Sequence, residues 1–178
     1  MANDTDGTER QEIELNQVEE ENEKMTLLVF SSDLDKVLGA FVIATGAALM
    51  DVQVTMFFAF WGLNVLRKDQ ATAGGKNFMS KMLAWVLPKG PDKLKLSNMN
   101  MMGMGTSMMK HVMKKQKVMD LPSLIKMAQE LDVKFVACEM SMNVMGFKKE
   151  ELLDGVQLAG VATAISEASD SKVQLFIS

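Results

Sequence analysis

The chain contains one cysteine, Cys138, and one histidine, His111, and those two counts bound the chemistry open to it. A lone thiol cannot close an internal disulfide, so a dithiol oxidoreductase, or a peroxidase with its own resolving thiol, is excluded. Structural zinc is excluded too, because such sites take about four Cys or His ligands. One thiol is enough for sulfur relay: a thiolate attacks the sulfane sulfur of a donor, keeps it as Cys–S–SH, and passes the outer sulfur to an acceptor thiolate. Cysteine-protease chemistry would need His111 as a base within hydrogen-bond reach. That histidine stands among Lys110, Lys114 and Lys115 on what reads as a helix face, which disfavours the protease reading.

Thiolate formation depends on surroundings, and the sequence places Cys138 well for it. Val133-Lys134-Phe135-Val136-Ala137-Cys138 reads as a strand and Ser141–Met145 as a short turn of helix. A thiol where a strand ends and a helix begins meets free backbone N–H groups and the positive end of the helix dipole, and both lower its pKa. Met140, Ser141 and Met142 are the expected N–H donors, Lys110, His111 and Lys114 the expected cations gating access, and Glu139 acts against them. The bland alternative is a cysteine used as a small buried apolar side chain. Its position at a sheet edge brings the reactive reading level with that one.

The elements that must position this thiol alternate along the chain. Met25–Phe30 is a continuous apolar run ending in the turn and cap residues Ser31, Ser32 and Asp33, as in a strand leading into a helix. A helix over Leu34–Met50, with Gly39, Gly46 and four alanines suited to close packing on a sheet, hands over at Asp51 to a strand at Val52–Phe58. Pro122 and Ser123 open a helix to about Leu131, before the Val133–Cys138 strand. A helix at Lys148–Asp154, a strand near Val156–Leu158, a helix at Val161–Ala168 and a strand at Val173–Ile177 follow. This order predicts a three-layer α/β/α domain with a mostly parallel sheet of about five strands, joined by right-handed crossovers. Ligands in such sheets gather at the C-terminal edge of the strands, which makes Ser31, Ser32, Phe60, Trp61 and Gly62 pocket candidates beside Cys138.

At 178 residues with 48% apolar and 24% charged side chains, one globular domain is expected. The net charge of −4 conceals an asymmetry: residues 1–24 hold nine acids against Arg10 and Lys24, a balance of −7, and the remainder is +3. The overall charge argues against a nucleic-acid partner. Residues 1–23 are expected to be a disordered, solvated acidic tail, since only Ile13, Leu15 and Val18 could form an apolar stripe there. With no apolar signal segment in it, a reducing cytoplasmic location is expected and the thiol should be free. The weakly charged stretch Val37–Leu66 prompts a membrane check, but Asp51 divides it into two runs, each short for a bilayer. Helix then strand is favoured, with membrane association as the lesser alternative.

Between Trp61-Gly62 and Leu121 lies an insert over about 63–120, with Gly74-Gly75, Gly90-Pro91 and methionines at 99, 101, 102, 104, 108, 109 and 113. It is too long for a plain loop, and helices at Gly75–Leu87 and Thr106–Lys117 would make it a mobile lid. Met99, Met101 and Met104 with a nearby histidine could collect Cu(I) through soft thioether sulfur. Adaptable packing explains so many methionines better, and no metal or cofactor is expected. The nucleotide-binding fingerprint is missing: Gly103-Met104-Gly105 lacks the third glycine, and Gly74-Gly75 lacks the Gly-Lys-Ser/Thr ending.

The ensemble of Leu27-Leu28-Val29-Phe30-Ser31, Phe57-Phe58-Ala59-Phe60-Trp61-Gly62, Asn98 through Gly105, Ala137-Cys138-Glu139-Met140-Ser141-Met142 and Gly155 through Ala162 resembles the DsrE/DsrF-like sulfur-carrier family. The resemblance spans about residues 24–178 and is to the DsrE-type subgroup often labelled peroxiredoxin-like. It implies the DsrEFH-like α/β fold, a homo-oligomer or a related hetero-assembly, and a cysteine at position 138 that receives sulfur from a rhodanese-like or other persulfide donor and yields it to a thiol acceptor protein. A sulfurtransferase-like carrier rather than a turnover enzyme is the expectation. The alternative from another class is a non-catalytic binding or assembly module, whose Met-rich insert meets a partner, a membrane surface or Cu(I).

Overall fold

A computed structural model describes residues 23–68, 90–98 and 103–178. The elements run β1 (Lys24–Val29), α1 (Leu34–Ala48), β2 (Gln53–Phe58), a 3-10 turn (Phe60–Leu66), a second (Pro91–Lys93), α2 (Met104–Lys115), α3 (Leu121–Glu130), β3 (Lys134–Cys138), α4 (Glu139–Met145), a third 3-10 turn (Lys149–Glu151), β4 (Gln157–Ala159), α5 (Val161–Ser169) and β5 (Val173–Ile177). The five strands form one sheet in the order β4-β3-β2-β1-β5, and every pairing is parallel.

Strand periodicity divides the interior in two. Leu27, Val29, Val54, Met56, Phe58, Phe135 and Ala137 face a large core shared with α1 and α3, whereas Phe57, Val136 and Cys138, one residue out of step, face the other side with Ala59 and Ala164 of α5. On the first face α1 buries Leu34, Val37, Ala40, Phe41 and Ala44, a helical stripe at three- and four-residue spacing. Phe41, Phe58 and Phe135 meet there, two of the three pairs edge-to-face. Among the described residues the second face is thinly covered: only Ala164 and Ala168 of α5 are buried.

Both α-to-β handovers on the first face use an aspartate in the left-handed region. Asp51 has φ 61 and Asp132 φ 57, and the following amides reach back to helical carbonyls, Val52 to Ala47 and Val133 to Ala128. That is the helix-ending bond of a Schellman motif. Aspartate tolerates this conformation better than most non-glycine residues.

Several expectations are corrected. Gly39 and Gly46 are exposed, and a Cβ on either would meet nothing within 4 Å; the close packing falls to Ala40 and Ala44 instead. The helix expected over Lys148–Asp154 is a single 3-10 turn, because Leu152 pairs across an isolated bridge with Arg67. Leu63, Val65 and Leu66, assigned to the insert, are fully buried in the main core. The described part of the insert is not free of the domain: Lys95 O accepts from the Leu34 amide at 2.8 Å, and the Ser97 amide and hydroxyl donate to Asp35 at 2.9 and 2.7 Å. Burial would raise the Asp35 carboxyl, but those bonds from Ser97 outweigh it and hold the group below its ordinary value. Of the two insert helices, the second is α2, displaced two residues toward the N-terminus, and Gly75–Leu87 lies outside the described residues. Among the described residues no helix is long and apolar enough to cross a membrane.

α3 opens as its sequence requires, with Pro122 in the first turn and Asp120 as N-cap, whose carboxylate accepts from the Ser123 amide at 3.0 Å. Hydrogen bonds from the Ser123 side chain and amide hold the Asp120 carboxyl below its usual range. Asp120→Ala is therefore expected to cost about 1 kcal/mol at neutral pH. Because the folded-state pKa is lowered, this contribution is complete above the ordinary carboxylate range, about pH 4, and is lost as pH falls through the lowered value. Urea unfolding of both proteins should show the gap at pH 7 and its closure in acid; an unchanged gap in acid would assign the cost to something other than the charged cap.

Candidate functional site

Cys138 is the last residue of β3 and the N-cap of α4. Its strand partner on β4 is Ala159. The side chain points to the second face, and only 1% of the residue is exposed. The apolar side chains clustered with it are Phe57, Ala59, Val136 and Ala164, with Leu28, Phe30 and Ala159 partly buried around them. The sulfur makes no capping hydrogen bond to the helix amides. The thiol is free, as expected.

α4 leaves open a set of amides shifted by one residue from the set its sequence suggested. In a helix that begins at Glu139, the Met142 amide is the first to bond back, to the Cys138 carbonyl, which leaves those of Glu139, Met140 and Ser141 open. Met140 is exposed, while Met142 and Met145 are buried in the main core and fasten the helix to it. The Ser141 hydroxyl is wholly buried and has no hydrogen-bond partner among the described residues.

The pocket candidates divide between edge and core. Ser31 is buried, and its hydroxyl accepts from the Asp33 amide at 3.1 Å; Ser32 beside it is half-buried. Gly62 is buried, its amide donating to Phe30 O at 2.9 Å and Ala59 O at 3.0 Å. Phe60 and Trp61 are exposed, 39% and 52%, so neither is a core side chain. Phe60 has φ 47 and stacks on Phe30 at 6.2 Å between ring centroids, and Phe30 stacks on Phe176 at 4.8 Å. This aromatic row joins the exposed edge to the cluster that holds Cys138, since Phe30 packs against that cluster. Phe30, Phe176 and Ala164 were not singled out from the sequence. Two-residue periodicity within β1 and β3 could have put Phe30 on the thiol's side once those strands were placed in one sheet, but the neighbour relations of β5 and α5 leave no local signal.

The insert cations lie elsewhere. Lys110 and Lys114 line a groove of about 360 Å³ with Leu34, Leu121 and Pro122, residues of α1 and α3 on the first face. His111 is exposed on the same helix. Met104 is exposed, and Met99 and Met101 lie outside the described residues. Among the described residues no three His, Cys, Asp or Glu side chains gather as a metal site would require.

A parallel five-stranded sheet that ends one strand in a lone thiol, capped by a short helix, can be set beside known proteins. Residues 21–176 match the profile of the DsrE/DsrF/DrsH-like family. The chain is 48% identical over 158 residues to YrkE of Bacillus subtilis, an uncharacterized protein, covering 89% of this chain and 99% of the relative. It is 34% identical over 164 residues to the sulfur carrier protein DsrE2 of Allochromatium vinosum, covering 88% and 99%. Among solved structures, the YchN protein of E. coli superposes with a TM-score of 0.51 at 8% identity, covering 86% of this chain and 98% of YchN. That likeness is one of fold.

Proposed function

The chain belongs to the DsrE/DsrF/DrsH-like family, and from that premise we propose that it relays sulfane sulfur as a persulfide on Cys138. The observation that carries the reading is the placement of the only thiol at the C-terminal end of β3 and the start of α4. The similarity to a protein described as a sulfur carrier supports it. The step conserves oxidation level: the Cys138 thiolate attacks the outer sulfur of a donor persulfide, the new Cys138 S–S bond forms as the donor's S–S bond breaks, and the electron pair leaves on the donor thiolate. A thiolate of the acceptor then takes the outer sulfur and restores Cys138. The outer sulfur stands about 2 Å beyond Sγ, so it, rather than the thiol, would meet the open amides of Met140 and Ser141. A rhodanese-like or other persulfide donor, a thiol acceptor protein and a cytoplasmic setting complete the reading. A homo-oligomer is part of it, favoured by the exposed apolar side chains of the thinly covered face, Val161, Ile165 and Phe176.

Incubation with a persulfide or thiosulfate donor should add about 32 Da per sulfur to the wild type, and nothing to Cys138→Ser. Equal mass gain in both proteins would end the proposal.

One observation favours a second reading. With 1% exposure and a packed apolar cluster against it, Cys138 also fits a role as packing alone, and the chain that of a binding or assembly module. Thiol alkylation separates the two: a rate at neutral pH at or above that of a model thiol supports relay, because the site must open to react, and a rate several-fold below it supports packing.

A further inference from the structure

The groove on the first face has an apolar floor, formed by Leu34, Met113, Val118 and Leu121, and one cationic wall, formed by Lys110 and Lys114 of α2. Two aspartates also border it, both near Lys110: the Asp120 carboxylate caps α3 and is held below its usual range by its Ser123 bonds and in part by the Lys110 charge, and the backbone carbonyl of Asp92 accepts from Lys110. Residues 97–119 contain four lysines and no acid. Elsewhere Lys36, Lys68, Lys126 and Lys172 sit beside carboxylates; Lys114, Lys115 and Lys117 have no carboxylate beside them among the described residues. Met104, Met108 and Val112 add an exposed apolar stripe at four-residue spacing on the same helix.

The complement to such a surface is a segment that is both acidic and intermittently apolar. Residues 1–22, outside the described residues, hold eight acids against Arg10. Within them Glu12-Ile13-Glu14-Leu15 alternates acid and apolar, so that an extended backbone presents Ile13 and Leu15 to one side and the two carboxylates to the other. We propose that this segment occupies the groove of its own chain, Ile13 and Leu15 on the apolar floor and the glutamates toward Lys114, Lys115 and Lys117. Length permits it. β1 spans six residues, about 20 Å, from the edge where Glu23 enters to the edge where the groove opens at Leu34. Eight to ten extended residues between Ile13 or Leu15 and Glu23 reach about 27–35 Å.

The test is zero-length carbodiimide cross-linking of the full chain, as an equal mixture of light and 15N-labelled protein, mapped by peptide mass. Links from Glu12 and Glu14 to Lys114, Lys115 or Lys117, with both ends of one isotope and several-fold fewer in 0.5 M salt, are expected, because about 4 Å of screening length remains there. Links spread evenly over other exposed lysines, no tail links, or links mainly between light and heavy chains would overturn the proposal, the last by assigning the groove to a second copy. A second measurement avoids removing the linked amines from the readout. Lys114→Gln/Lys115→Gln/Lys117→Gln, all exposed positions, should raise the rate of Glu-C cleavage within the tail several-fold, and equal rates would also overturn it.

Discussion

Arg67→Met is expected to destabilise the protein by about 3–5 kcal/mol, the usual cost of leaving one member of a buried ion pair alone. Arg67 is fully buried; its Nη2 donates to Glu151 Oε2 at 2.9 Å, and its guanidinium lies 4.3 Å above the Phe147 ring. Around this pair two chain segments are strapped together. The Lys68 amide donates to Glu151 O and the Leu153 amide to Leu66 O, both at 2.8 Å. The strap joins the 3-10 turn after β2 to the segment following α4, so it braces the helix that begins at Cys138 from behind. Yet Arg67 Nε and Nη1 and Glu151 Oε1 have no partner among the described residues, so the pair recovers only part of its desolvation cost there. The double variant Arg67→Met/Glu151→Leu should therefore regain most of the loss, since no lone charge is left buried. Urea unfolding of the two singles and the double closes the cycle. A single variant within about 1 kcal/mol of wild type, the range of an exposed pair, would show that the strap contributes little.

Gly62→Ala should be nearly as damaging, by about 3 kcal/mol, for a steric reason. A Cβ at Gly62 would press on the backbone carbonyl of Val29, at the end of β1, and a backbone atom has no rotamer in which to yield. Relief would require parting β1 from the turn, at the expense of the Gly62 amide bonds to Phe30 O and Ala59 O. Both neighbours belong to the edge of the thiol cluster, so the variant should also raise the alkylation rate of Cys138. Gly39→Ala supplies the opposite sign. That glycine is in the exposed interior of α1 with nothing near a new Cβ, and alanine there should stabilise by about 0.5–1 kcal/mol through helix propensity. Thermal or urea unfolding that ranked the two substitutions the other way round would contradict the packing described at both positions.

The same pair of glycines shows how far local sequence reaches. Gly62 was legible as a residue of the functional edge because it follows an apolar strand and precedes none, but the reason for glycine there is a contact with a strand read more than thirty positions earlier. Gly39 and Gly46 looked like close-packing residues because small side chains in an apolar helix usually are; their orientation away from the sheet depends on which stripe of α1 the sheet selects. Arg67 carried no signal at all. A basic residue at the head of a charged insert reads as solvated until Glu151 and Phe147, some eighty residues later, close over it.

The amino-acid order by itself determined the alternation of strands and helices, the parallel sheet, the family, and the restriction to one-thiol chemistry, because apolar period, caps and residue counts are local properties of the chain. It also put Cys138 at a strand's C-terminal end. Only the tertiary structure decided which side of the sheet that thiol faces, that α5 and an aromatic row cover it, and that the lysines of α2 stand on the opposite side. A one-residue step along β3 exchanges the two faces, and the order in which strands meet is set by long-range packing that no local pattern records.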